Sequence, residues 1–539
     1  MATALQDDSL SAVDYIVIGG GSAGCTLAAR LSEDPDASVL LIEAGQKDRS
    51  PYIHLPVTYY KTTGPQFTWG FETKAQEHQG GISTPFTQAR VLGGGSSINA
   101  QVYIRGTAAD YDAWKSDYGC AGWGYADVLP YFKRAEDNQR LSGDLHGNEG
   151  PLKVSDQAYT HPLTYAWLKA CQQVGMPYID DFNREKRGGC GLYQVTNRAG
   201  RRSSTANCYL RPAASRRNLL VLTDSQAMRI LFENGRASAV QLRSDTITRT
   251  IAARREIILT CGAIGTPNLL LHSGIGDGAM LAGNGIDVVA DSPQVGRNLQ
   301  DHLDVFLVYE LLGPYSYDKY KKACWQAWAG LQFALFRSGP VTSNVVEGGA
   351  FWWLDEGDPE PDVQFHFLAG AGVEAGIAGV PGGNGCTLNA YLTRPRSRGT
   401  VSIAGNDPLY HPKIDPNYLS DPDDLAKTAH SVRLGRKIMA GPSLAPYLKN
   451  EHFPGVNVES QQEIEDFVRA HARTGYHPAG TCRMGGDAES VVDTQLRVRG
   501  VDGLRIADNS VMPKLVSGNT NATAIMIGER AADFIRGNG

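Results

Sequence analysis

The chain lacks several features that would settle its class at once. Its nine cysteines include no CxxC pair, and their number is odd. Scattered as they are, they argue against a disulfide framework or a zinc site and fit free thiols in a reducing compartment. No metal is expected. No apolar run reaches the roughly 18 residues that cross a bilayer, so no membrane span is expected. The opening stretch MATALQDDSLSAVDY has neither the basic nor the apolar region of a secretion signal. Together these point to a cytoplasmic protein, with peripheral association to the inner membrane left open. Positive charge is not in excess: the net charge is −6 and the pI is about 6.1. A nucleic-acid footprint is therefore not expected.

Glycine, by contrast, is plentiful at 61 of 539 residues, and it clusters in short motifs. Such clusters suit tight turns and the close approach of backbone to a ligand. A chain of this length predicts two intimately joined domains. The segment DYIVIGGGSAGCTLAARLSE opens with a buried-strand run. Gly19, Gly21 and Gly24 then match G-x-G-x-x-G, and a periodic helix follows. Next come a turn at EDPD, a second apolar strand SVLLIE, and Glu43 at its end. This is a complete βαβ dinucleotide-binding context. The glycines admit a pyrophosphate, with Ser22 and Ala23 at the helix N-terminus, which favours negative charge. Glu43 can accept from a ribose diol, and Ala44 follows it. The fingerprint alone does not separate NAD from FAD.

A second cluster, ARVLGGGSSINAQVYIRG, provides small residues followed by Asn99. A flat isoalloxazine ring needs backbone against one face and amide groups at its edge, and this stretch can supply both.

These residues resemble the glucose–methanol–choline (GMC) flavin oxidoreductases. The likeness runs from Ala89 to Asp112, through GAIGTPNLLLHSGIG and VGRNLQDH, to YHPAGTCRMG and RIADNSVMPKLVSGNTNATAIMIGERAADFI. The blocks keep the family's order over nearly the whole chain. Segments in the variable middle, YDKYKKACWQAWAGLQFALFRSGPV, SNVVEGGAFW and DVQFHFLAGAGVEAG, are most similar to FAD-dependent L-sorbose and primary-alcohol dehydrogenases.

The resemblance implies an α/β fold: a Rossmann-like FAD-binding domain (10–155, 203–305 and 466–539). It is joined to an α+β substrate domain (156–202 and 306–465) built on an antiparallel sheet. It implies FAD contacts at the fingerprint residues, at Trp69, Arg90, Gly93, Gly94, Asn99, Ala100 and Val102, at Ala227 beside adenine, and at Asp508, Asn519 and Ala522. Some members attach FAD through a histidine in the second cluster. The corresponding residue here is Ile98, which implies non-covalent FAD.

Oxidising an alcohol requires a base for the hydroxyl proton, a donor for the developing alkoxide, and stabilisation of charge arriving on the flavin. The resemblance assigns the base to His477, in TGYHPAGTCRMG. It assigns the donor to Asn521, with Asn519 as the rival two residues earlier. The helix from about Ala522 to Ile535 is apolar early on, and its N-terminus is expected to face the flavin. Glu347, in SNVVEGGAF, is a candidate for orienting the histidine, binding a substrate hydroxyl or forming a salt bridge. The segment DKYKKACWQAWAGLQFALFRSG reads as an amphipathic helix packed into the core in preference to a membrane anchor.

The expected activity is FAD-dependent oxidation of a primary alcohol to an aldehyde, with a sugar such as L-sorbose foremost and a quinone or dye-like carrier as acceptor. The alternatives are an alcohol oxidase using O2, of the aryl-alcohol, choline or hydroxymethylfurfural type, and an FAD-containing lyase.

Overall fold

In the computed structural model of the protein, residues 10–372 and 379–537 are described. The fingerprint folds as read. Strand β1 (Ala12–Ile18) leads into helix α1 (Ser22–Leu31) and strand β2 (Val39–Ile42). Alternation is absent from VLLI because both faces of this strand are covered, as in parallel sheets generally. Strand β3 (Leu219–Leu222) pairs with β2. A hairpin follows, of β4 (Gln226–Glu233) and β5 (Arg236–Ser244). Its turn residues Asn234 and Gly235 both have positive φ, as ENGR predicts. The long strand β6 (Ile247–Leu259) runs antiparallel to β5 in its first half. It is parallel to β1 on one side and, at its end, to the strand Leu504–Ile506 on the other. The sheet order is β3-β2-β1-β6-β5-β4. Its parallel strands end along one edge, where doubly wound sheets bind ligands.

The second sheet is antiparallel throughout. Its centre is β7 (Leu303–Leu311), β8 (Val346–Trp352), β9 (Val363–Leu368) and β10 (Gly385–Leu392), in the order β7-β10-β9-β8. The helix Pro422–Met439 packs across β7 and β10. The fit is close: a Cβ on Gly435 would sit 2.7 Å from Leu307. Two large apolar cores and one small cluster, Ile53, Phe67 and Val91, result among the described residues. One surrounds the nucleotide sheet and one lies between the second sheet and its helices.

Three helices matter below. Helix α2 (Gly262–His272) follows β6. Helix α3 (Ala323–Phe336) comes from the variable middle, and α4 (Asn521–Arg536) closes the chain. Helix α4 packs along α1, with Gly528 against Ala23. Buried Glu529 accepts from Arg30, Arg134 and Tyr209. Helix α3 departs from expectation. Its apolar stripe was expected to lie in the core, but Ala329 is its only buried residue. The segment lies outside both sheets, and none of its large apolar residues joins either core. No helix among the described residues is long and apolar enough to cross a membrane.

Candidate functional site

One large cavity of about 630 Å³ joins the two sheets. At one end it is lined by Gly19, Gly21, Ser22, Ala23, Glu43, Ala44 and Ala227, and at the other by His477, Asn519, His366 and Tyr391. Three helices, α1, α2 and α4, present their N-terminal residues to it: Ser22 and Ala23; Gly262 and Ala263; Asn521 and Ala524. The unpaired N–H groups and aligned dipoles at these ends favour anionic ligands.

Most of the residues implied by the resemblance meet here. Glu43 is buried at the end of β2. Its two oxygens accept from the N–H of Gly20 (2.8 Å) and of Gly45 (2.7 Å), which fixes the carboxylate at the cavity wall. Burial raises its pKa. Trp69 stacks on Phe71 at 5.6 Å, and Arg90 lies over the Trp69 ring. Gly94, Ala100 and Val102 line the wall. Asp508 caps a turn and accepts from Gly262 N–H, Thr266 Oγ1 and Ser510 N–H.

Three residues stand behind the wall. Gly24 is there for packing: a Cβ would come within 2.0 Å of the Gly19 carbonyl oxygen. Gly93 has φ +89°, and a Cβ there would meet Ser97 Oγ at 2.2 Å. Ala522 is buried in α4. Ile98 does line the cavity, and its aliphatic side chain offers no atom for a bond to a flavin.

Asn99 gains direction from Arg202. This guanidinium is buried and donates to Ile53 O, Ser96 O and Asn99 Oδ1 (2.7 Å). Burial pulls its pKa down to about 9. Asn99 Oδ1 also accepts from Gln101 N–H. With its oxygen held twice, the amide NH2 is the group left to serve the cavity.

The histidine end is ordered by a chain of contacts. His302 Nε2 lies 3.1 Å from the Thr393 carbonyl oxygen, which can only accept, so Nε2 carries the proton. Burial holds the His302 pKa down at about 3, so the ring is neutral and Nδ1 is an acceptor. His477 Nδ1 lies 2.9 Å from that atom and must donate to it. His477 Nε2 is thereby left with a lone pair. Burial and the neighbouring His302 lower the His477 pKa well below its usual value, so this lone pair persists at neutral pH. The backbone is held as firmly. Buried Asp301 accepts from His477 N–H (2.8 Å), Thr474 Oγ1 (2.6 Å) and Tyr418 OH (2.5 Å), while Tyr476 sits at φ +65°. Non-glycine residues seldom adopt that conformation, so the loop is over-determined by its bonds.

Asn519, not Asn521, stands against this lone pair. Asn519 Nδ2 is 3.2 Å from His477 Nε2, and its Oδ1 accepts from Gln364 Nε2 at 3.2 Å. Asn521 begins α4 and accepts from Ser22 Oγ at 2.7 Å, on the nucleotide side. The chain turns into the helix between the two residues, so they face opposite ends of the cavity. Glu347 takes none of its anticipated parts. Fully buried, it accepts from Tyr317 OH, Ser343 Oγ, Thr164 Oγ1 and His161 N–H, none of them a cation, and it does not line the cavity.

Sequence reasoning missed the ceiling of the site. Asp304, His366, Asn389 and Tyr391 project from β7, β9 and β10 into the cavity. In DVQFHFLA the polar residues alternate with Val363, Phe365 and Phe367. That pattern ordinarily puts the polar face in water, but here Gln364 and His366 face the site and are buried. His302 sat inside a quoted motif, yet only its contact with His477 reveals a role.

The comparisons with known proteins agree with this geometry. Family models described as GMC oxidoreductase match residues 13–304 and 395–528. The chain is 41% identical to the oxygen-dependent choline dehydrogenase of Brucella ovis over 97% of its length and 95% of that protein's. Among solved structures, pyridoxine 4-oxidase from Mesorbium loti shares 32% identity with a TM-score of 0.87, covering 96% of this chain and 98% of that one. Formate oxidase of Aspergillus oryzae shares 25% with a TM-score of 0.92, covering 98% of each. The cofactor of this family is FAD, and the lined cavity, with its helix N-termini and fixed glutamate, fits it. The chain belongs to the GMC oxidoreductase family.

Proposed function

We propose that the protein oxidises a primary alcohol to an aldehyde, with His477 as base and Asn519 as the amide that steadies the alkoxide. One observation carries this reading: the Thr393–His302–His477 chain leaves Nε2 unprotonated beside Asn519 Nδ2, in the cavity that also contains the dinucleotide fingerprint. An alcohol oxygen within hydrogen-bond reach of both atoms, replacing their mutual bond, would give its proton to Nε2 and accept from Nδ2. Bound FAD supplies the hydride acceptor. Asn519 is held by Gln364, so it need not reorganise as charge develops.

Choline is better supported as substrate than L-sorbose. The choline dehydrogenase relatives span nearly the whole chain. The carboxylate of Asp304 lines the cavity beside its cross-strand partner Tyr391, a pairing of acid and aromatic ring that suits a quaternary ammonium. The relatives' names and the oxidases among similar structures favour O2 as acceptor over a quinone. Anaerobic flavin reduction with choline, L-sorbose, benzyl alcohol and hydroxymethylfurfural tests the substrate. We expect bleaching near 450 nm fastest with choline. A flavin that stays oxidised with every alcohol would refute alcohol oxidation and leave the lyase reading. Peroxide formed in step with aldehyde would support O2; turnover only with a quinone or dye would overturn it.

A further inference from the structure

We propose that helix α3 seats the protein on an anionic lipid bilayer. Five of its residues, Trp325, Trp328, Leu331, Leu335 and Phe336, are 43%, 60%, 51%, 64% and 72% exposed. At about 100° per residue they fall within an arc of roughly 140°, so they form one stripe. The attachment borders this stripe on its Phe336 side. Ala329 is buried, and Phe333 lies against Gly200, where an added Cβ would be 2.7 Å from its ring. A stripe of large apolar residues on an otherwise well-packed protein marks an interaction surface.

Charge selects the occupant. The helix contains no Asp or Glu, is preceded by Lys319, Lys321 and Lys322, and is followed by Arg337. Asp318, just before the helix, is already paired with Lys321 at 2.7 Å. The ends are therefore locally positive on a chain of net charge −6. In a two-fold dimer through this stripe the helices would run antiparallel or parallel, setting the lysines of one copy beside Arg337 or beside the lysines of the other. Like charges would face each other at both ends. An anionic bilayer instead takes the tryptophans at its interface, the aliphatic residues below, and the lysines at its headgroups. Fourteen residues give about 21 Å of helix, too short to span, so it would lie in the plane of the interface.

The placement also bears on the cavity. The turn Pro340–Thr342 at the foot of α3 packs on the helical turn Pro56–Thr62. Tyr59 and Tyr60 of that turn line the cavity. The rim of the cavity therefore adjoins the lipid-facing surface. This inference does not depend on the substrate or the acceptor.

The test is co-sedimentation of the full-length, FAD-loaded protein with two kinds of vesicle. One is pure phosphatidylcholine; the other is about three parts phosphatidylcholine to one part phosphatidylglycerol. We expect partition onto the anionic vesicles at least about ten-fold stronger than onto neutral ones, weakened by salt. Trp328→Glu with Leu335→Glu should weaken it by about a hundred-fold. Neither residue lines the cavity, so flavin absorbance and turnover should stay as in the wild type, showing that the variant is folded. Lys319→Glu with Lys322→Glu should erase the preference for phosphatidylglycerol. The proposal is overturned if the wild type stays in the supernatant with both vesicles, or if the double glutamate variant pellets equally well. It is also overturned if sedimentation velocity shows a dimer that the same variant dissolves while vesicles go unbound.

Discussion

The two ends of the cavity are built by opposite means. The nucleotide end is made of backbone: glycine turns, three helix N-termini, and a glutamate held by two N–H groups. The histidine end is made of side chains drawn from β7, β9, β10, the loop at His477 and the loop before α4. A phosphate chain can be held by any sequence that frees the backbone to approach it. Proton transfer needs particular atoms in particular protonation states. The first end should therefore fail by losing its cofactor, and the second by keeping the cofactor and losing chemistry.

Substitutions can break that contrast, the strongest first. Gly24→Val places a side chain where a Cβ already lies 2.0 Å from Gly19 O. The purified variant should carry no FAD and show no turnover; normal flavin content would mean the close packing of α1 on β1 is dispensable. His477→Ala should retain FAD and lose flavin reduction by about 10³-fold. A rate within about ten-fold of wild type would remove His477 as the base. The two asparagines divide along the same line. Asn519→Ala should lower the reduction rate by about 10²-fold with FAD affinity unchanged. Asn521→Ala should loosen FAD, since it frees Ser22, while leaving the rate at saturating FAD nearly intact. The reverse pattern would restore Asn521 as the active-site amide. Asp304→Asn should raise KM for choline by about ten-fold and barely alter that for benzyl alcohol; equal changes would deny it a role in cation recognition.

Acidity gives the smallest effect at neutral pH and a clear one below it. Burial holds His302 and His366 neutral down to about 3. Unfolded, each would take a proton near 6.5. The unfolded chain therefore binds more protons from about pH 6.5 down to 3, and stability falls as pH drops through that window. The slope is on the order of 1 kcal/mol per pH unit for each histidine. Melting temperatures measured from pH 7 to pH 4.5 should decline, and less steeply in His302→Asn. An unchanged slope would place the acid sensitivity elsewhere.

The same contrast explains what could be read beforehand. The βαβ unit, the ENGR hairpin and the terminal helix were legible because contiguous residues determine each one. His477 was legible through a motif. Its partners were not, because the contacts of His302 and Tyr391 with it, and of His366 with Tyr391, arise only when β7, β9 and β10 pair. The choice between Asn519 and Asn521 was illegible for a local reason: one turn of backbone decides which of two like side chains faces the histidine. The exposure of α3 was illegible because an apolar stripe looks alike whether the surface it meets belongs to the same chain or not.

The clasp between Ser22 and Asn521 has a consequence for how the enzyme is made. Ser22 and Asn521 lie 499 residues apart, so the fingerprint leaves the ribosome on the order of a minute before α4. During that interval α1 lacks the helix it packs along, Arg30 lacks Glu529, and the cavity lacks one of its three helix ends. The cradle closes only once α4 has docked on α1. A chain that stops before Asn521 lacks that helix end and should bind flavin weakly, so the yellow colour of the product reports that α4 is in place.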